Sequence, residues 1–243
     1  MPKEQWNKPK TTPWGRIAYI DYKERMEFSS TDYEKINRYC LNIGIKWSAS
    51  VWDIPSFYII DKYPVPFIKI ASACITNLEL LKVISQTDKD IVFSIGMSTS
   101  EQVKKAASFF QEEKLTILHC NSSYPAKEDE LDLAFIPELK RLFPKAKVGY
   151  SGHEEGMLPT LVAKALGAEV IERHITLDRV MWGTDHKASL EPKEFRKLVQ
   201  EINRVGRILG EPHLHVYESE MEAAKKLRFE KETKTLCTGV FFI

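Results

Sequence analysis

The chain has no glycine-rich GxGxxG turn, no CxxC pair and no apolar run long enough to cross a bilayer. The first absence argues against a dinucleotide-binding fold. The second removes the commonest zinc and redox motifs, and the third predicts no membrane association. The opening decapeptide MPKEQWNKPK lacks the apolar centre of a secretory signal. Four cysteines (Cys40, Cys74, Cys120 and Cys237) stand far apart, so reduced thiols in a cytoplasmic protein are expected rather than a disulfide scaffold. Charge of either sign is not in excess. A formal net charge of +1 offers no field for nucleic acid or anionic lipid.

What the chain does have is enough material for one large domain with a core: 243 residues, 43% hydrophobic and 28% charged. Residues 1–46 read as a polar, irregular segment followed by a first helix, and 47–210 as the catalytic part. Residues 211–243 read as a linker-like tail. Within the central part short β-branched runs alternate with amphipathic helices: WSASVW (47–52), FIKIAS (67–72), DIVFSIGM (90–97), LTILHC (115–120), KVGYSGH (147–153) and EVIERHIT (169–176). Runs that are apolar on both faces mark strands of a buried parallel sheet. Thr31 with Glu34, Asn77, and Thr99 with Gln102 read as helix starts, the last for a helix through Phe109. The final helix runs from Pro192 to Leu209, with Phe195, Leu198, Val199, Ile202, Val205 and Leu209 on one face and Gly210 beyond its end. This rhythm fits a doubly wound sheet or an α/β (β/α)8 TIM-type barrel, and only about six βα units are present.

In such folds ligands bind beyond the carboxyl ends of the strands, and the unusual polar residues gather there. Ser50 marks the first strand, Lys69 and Ser72 the second and Ser94 the third. Asn121, Ser122 and Tyr124 follow the fourth, Ser151 and His153 end the fifth, and Glu172 with His174 end the sixth. A lysine inside FIKIA is costly to bury without an anionic partner. It either snorkels to a surface or forms, with the neighbouring hydroxyls, a cationic pocket for phosphate or carboxylate. His153 and His174, on adjacent strand ends, can bind a divalent metal and leave positions open for water and substrate; singly, each reads as a core histidine. His119 lies deeper and reads as structural. The loop MWGTDH (181–186) carries Asp185 over the mouth, where it either forms a surface turn or contacts a substrate hydroxyl.

SVWD (50–53), KIASACITN (69–77), FSIGMS (93–98), LHCNSSYP (118–125), GYSGHEEG (149–156), GAEVIERHITLDR (167–179) and WGTDHKASLEP (182–192) together closely resemble the sialic acid synthases, the N-acetylneuraminate synthase group. The resemblance covers roughly residues 14–210. It implies a (β/α) barrel followed by a small antifreeze-like domain. It further implies condensation of phosphoenolpyruvate with an N-acylated hexosamine, N-acetylmannosamine in the commonest case, to give a nonulosonic acid and phosphate. By the same resemblance Lys69, Ser72, Ser94 and Ser122 hold the phosphate and carboxylate of phosphoenolpyruvate, with Ser50 beside them; Ser151, from its strand-end position, is a further candidate substrate contact. His153 and His174 hold Mn2+ or Mg2+, and Tyr124 and Asp185 face the sugar.

Against that pattern the chain shows Ala73–Cys74 where many members carry a carboxylate. The family's first two strands, with their NHNG-like and KFQ-like motifs, are expected to be missing, as is the antifreeze-like domain, although HVYESEMEAAKKLR resembles the linker to it. An isolated six-strand fragment is expected to be weakly stable and prone to associate, as a homodimer or with a chain that supplies the missing strands. The competing readings are an inactive barrel fragment, half of a split enzyme, and another metal-dependent barrel aldolase.

Overall fold

The computed structural model describes residues 3–228. One compact unit ends at Ile208 and a second, smaller one begins at Leu209. The segment read as irregular is structured instead. Strands β1 (Pro9–Thr12) and β2 (Gly15–Ala18) form an antiparallel hairpin, followed by helix α1 (Tyr19–Met26). The turn closes because Thr12 Oγ1 donates to the Gly15 carbonyl at 2.8 Å and accepts from Trp14 N at 3.2 Å. Gly15 stands at φ +101°, a conformation glycine adopts without steric cost.

Helix α2 (Ser30–Ile43) is capped by Ser29 and Asp32, two residues before the expected Thr31–Glu34 box. Both pairs have the right spacing. Phe28 decides between them, packing edge-on against Tyr33 at 6.0 Å as a hydrophobic staple that a Thr31 cap would lose.

Six parallel strands then alternate with helices: β3 (Ser50–Val51), α3 (Ile54–Asp61), β4 (Phe67–Ile70), α4 (Leu78–Ile84), β5 (Asp90–Ser94), α5 (Ser100–Ala107), β6 (Leu115–Cys120), α6 (Phe135–Leu142), β7 (Lys147–Gly152), α7 (Leu158–Ala165), β8 (Val170–Arg173) and α8 (Pro192–Leu209). The sheet order is β3-β4-β5-β6-β7-β8, each strand beside its predecessor. All six expected strands form, with trimmed ends. The first shrinks to two residues, and α5 stops at Ala107, short of Phe109. Asn77 and Thr99 cap α4 and α5 as read. In the second unit α9 (Glu218–Leu227) is helical, so the stretch read as a linker is partly ordered. Cys237 lies outside the described residues; Cys40, Cys74 and Cys120 are free thiols.

Alternation assigns the two faces of the sheet. Ile68, Ile70, Ile91, Phe93, Leu115, Ile117, Val148 and Tyr150 belong to the core shared with the helices. The intervening Lys69, Val92, Ser94, Thr116, Leu118 and Ser151 are buried outside that core, on the concave face. Curvature is visible in one contact. Lys69 on β4 lies 3.5 Å from Glu172 on β8, whereas in a flat sheet strands four positions apart are separated by roughly 19 Å. The sheet is therefore an incomplete (β/α) barrel whose edges among the described residues are β3 and β8. No helix among the described residues is long and apolar enough to cross a membrane.

Candidate active site

The concave face is apolar toward the amino ends of the strands and polar toward their carboxyl ends. A recess of about 520 Å3 lined by Phe67, Val92, Leu118 and Phe195 opens near the amino ends. Asp90 and Lys147 also line it, and it reaches along β8 to Glu172 and Arg173, while the paired hydroxyls and imidazoles gather at the carboxyl ends, where ligands bind in folds of this class.

Lys69 is 8% exposed, which excludes a side chain snorkelling to the surface. Its ammonium donates to Ser94 Oγ at 2.8 Å and faces Glu172 at 3.5 Å. Glu172 also accepts from Ser151 Oγ at 2.7 Å. One carboxylate thus joins the lysine of β4 to the hydroxyl of β7. Ser72, just past β4, accepts from Gly96 N at 3.1 Å and approaches Cys120 Sγ at 3.4 Å. Ser122 lies 3.8 Å from the same sulfur. A Cβ at position 96 would sit 2.2 Å from Ser122 Oγ and 3.2 Å from Ser72 Oγ, so glycine alone keeps these hydroxyls together. Ser50 pairs with Lys69 in the β3–β4 register but is exposed, at the rim of the cluster.

His153 and His174 follow β7 and β8, and their rings are 5.2 Å apart, edge to face. His153 Nδ1 lies 2.5 Å from the Asn121 carbonyl. A carbonyl only accepts, so Nδ1 carries the proton and Nε2 presents its lone pair. The Tyr124 hydroxyl, 3.0 Å away, donates to that lone pair. Burial is the main cause that raises the Tyr124 phenol, to about 12, so it stays protonated and able to donate. Burial likewise lowers the His153 imidazole, with the neighbouring His174 adding to the effect, and favours the neutral ligand form. His174 Nδ1 lies 3.8 Å from Asp185 Oδ2. A locked tautomer whose Nε2 is the acceptor, beside a second imidazole, fits a divalent cation that would take over the lone pair now held by the Tyr124 hydroxyl. Among the described residues no group of three or more His, Cys, Asp or Glu side chains converges on one point, so further ligands would be water or substrate oxygens. His119, by contrast, donates from Nε2 to the Leu131 carbonyl at 2.7 Å, a structural role.

Lys69, Ser94 and Ser151 therefore meet through Glu172, Ser72 and Ser122 meet around Gly96, and Tyr124, His153, His174 and Asp185 form a contiguous group. Sequence reasoning placed Glu172 at the end of its strand but gave it no role in the site. The signal was present, because Glu172 and His174 are two residues apart and so share one face of β8. It also missed Glu154 and Arg173, a fully buried ion pair at 2.9 Å. Tyr150 and Thr160 donate to Glu154 at 2.8 and 3.1 Å. These two residues directly adjoin His153 and His174 in sequence, and their pairing fixes the ends of β7 and β8 side by side.

The sequence profile of the NeuB family matches residues 1–213. Human N-acetylneuraminate-9-phosphate synthase is 36% identical over 216 residues, which is 88% of this chain and 60% of the relative. The N,N'-diacetyllegionaminic acid synthase of Campylobacter jejuni is 33% identical over 80% of this chain and 59% of its own length. Among solved structures, the N-acetylneuraminic acid (sialic acid) synthetase of Leptospira borgpetersenii serovar Hardjo-bovis, in complex with citrate, superposes with a TM-score of 0.76. It is 34% identical, over 82% of this chain and 70% of that one. The chain thus spans about 60% of the length of the curated relatives it matches. With the strand order, the polar strand ends and a profile match over most of its length, the chain belongs to the NeuB family.

Proposed function

We propose that this chain catalyses, or contributes the catalytic face for, the condensation of phosphoenolpyruvate with an N-acylated aminosugar such as N-acetylmannosamine. The product is a nonulosonic acid, and inorganic phosphate is released. C3 of phosphoenolpyruvate bonds to the aldehyde carbon, water adds at C2, and phosphate departs from that carbon. The observation that supports this reading is the Lys69–Glu172–Ser151 link, which joins a buried lysine and its neighbouring hydroxyls to the strand that leads into His174.

Lys69, with Ser72, Ser94 and Ser122, would hold the anionic groups of phosphoenolpyruvate, and Ser50 and Ser151 border that pocket. Preorganised donors of this kind stabilise charge without reorganising during the reaction. His153 and His174 would hold Mn2+ or Mg2+, which when bound supplies Lewis acidity toward the sugar aldehyde. Tyr124 would yield the His153 lone pair to the metal and, with Asp185, face the sugar side.

The test is phosphate release from phosphoenolpyruvate with Mn2+ and a panel of N-acylated hexosamines. Release should require the sugar and fall about 10²-fold or more in His174→Ala, the scale on which losing one electrostatic stabiliser acts. Sugar-independent release, or release untouched by the substitution, would overturn the reading. The open edges at β3 and β8 favour a second form of it, in which turnover needs two further βα units from another chain. An inert parent that turns over once such a polypeptide is added would establish that form.

A further inference from the structure

The N-terminal hairpin does more than precede the barrel. Trp14, at its turn, meets Trp182 of the loop after β8 edge-on, with ring centroids 6.3 Å apart. Tyr22 of α1 meets the same Trp182 at 5.6 Å. Lys10 lies over the Tyr22 ring at 4.7 Å and Arg25 over the Trp14 ring at 5.7 Å, holding the aromatic group together. Trp14, Tyr22, Met26 and Trp182 line a recess of about 550 Å3 that also takes in His174 and Asp185. Trp14 and Trp182 nonetheless stay 49% and 42% exposed, so the cluster is not a closed core. No lysine or arginine lines the recess itself, and the nearby Lys10 and Arg25 are engaged with its aromatic rings, so the walls suit an uncharged group.

From this geometry we propose that the aromatic recess formed by Trp14, Tyr22 and Trp182 holds the uncharged N-acyl group of the aminosugar. It thereby makes the N-terminal hairpin a determinant of sugar choice. The proposal rests on the reading above and deepens it. The N-acyl substituent sits on the carbon next to the aldehyde, so when the aldehyde lies at the imidazole pair the acyl group falls in the recess that shares His174. Its methyl and planar amide match aromatic faces and edges, and pockets of this kind combine apolar walls with a few polar groups that fix orientation.

The experiment measures binding of N-acetylmannosamine, mannose and phosphoenolpyruvate to the full chain by tryptophan fluorescence and calorimetry, beside the phosphate-release assay. The parent should prefer N-acetylmannosamine to mannose. Trp14→Leu and Trp182→Leu should each weaken N-acetylmannosamine binding about tenfold, leave phosphoenolpyruvate binding in place, and erase the preference, while Trp14→Phe retains most of it. Retained phosphoenolpyruvate affinity shows that a variant is folded. Should Trp182→Leu not fold, Trp14→Leu, outside the sheet, carries the test. Unchanged N-acetylmannosamine affinity in folded Trp14→Leu, or a parent that binds both sugars equally, would overturn this inference and leave the proposed reaction standing. A parent that binds neither phosphoenolpyruvate nor sugar, alone or with a polypeptide supplying the two further βα units, would overturn the reaction itself, and the inference with it.

Discussion

Two residues that touch no proposed substrate do much to place those that would. Glu154 follows His153 and Arg173 precedes His174, and their side chains are 1% and 0% exposed. Arg173 donates to Glu154 Oε1, the Glu154 carbonyl, Thr160 Oγ1 and the Gly156 carbonyl, with distances of 2.8 to 2.9 Å. Removing one partner of such a pair leaves an uncompensated buried charge, which costs about 3–5 kcal/mol. Glu154→Gln should accordingly lower stability by that amount in urea denaturation, with reduced occupancy of the native imidazole pair. A loss under about 1 kcal/mol would show that the pair is not what holds these strand ends. The arrangement was invisible in the sequence because EE and ER dipeptides ordinarily mark solvated surface. Only pairing across two strands buries them.

At the scale of elements, periodicity and caps carried most of the reading. Asn77 and Thr99 start α4 and α5 where their side chains indicate, and Leu198 of α8 is buried on the face its spacing set out. Local signals failed where two equivalent motifs overlap. Ser29-x-x-Asp32 and Thr31-x-x-Glu34 are both box-like, and the choice depends on Phe28 meeting Tyr33. Replacing Ser29 by alanine should therefore cost about 1 kcal/mol, whereas Thr31→Ala should cost a few tenths at most; thermal melts of the two variants would separate them. The hairpin at 9–18 escaped notice for a related reason. Lys, Pro, Thr and Arg give its strands no apolar alternation, and beyond the adjoining α1 its ring contact is with Trp182, more than 150 residues away. The role of Glu172 escaped because its partner Lys69 is four strands distant, a proximity that curvature alone creates.

At the scale of the whole molecule, the sheet ends at β3, which pairs through two residues, and at β8. The concave face is apolar toward the amino ends of its strands, where Val92, Leu118 and Val170 share a recess with Phe195 and Val199 of α8. Such a surface is one that further strands would cover in a closed barrel. The polar end of the same face does not depend on closure for its internal contacts. The Lys69–Ser94, Lys69–Glu172 and Ser151–Glu172 links run entirely among strands that are present. The proposed phosphoenolpyruvate pocket is therefore directly open to measurement. Calorimetric titration of phosphoenolpyruvate into the parent chain and into Lys69→Met, a substitution that keeps the stem and removes the cation, is the decisive comparison. Binding to the parent should be saturable and should weaken at least about tenfold in the variant. Equal affinity in the two proteins would contradict the proposed pocket.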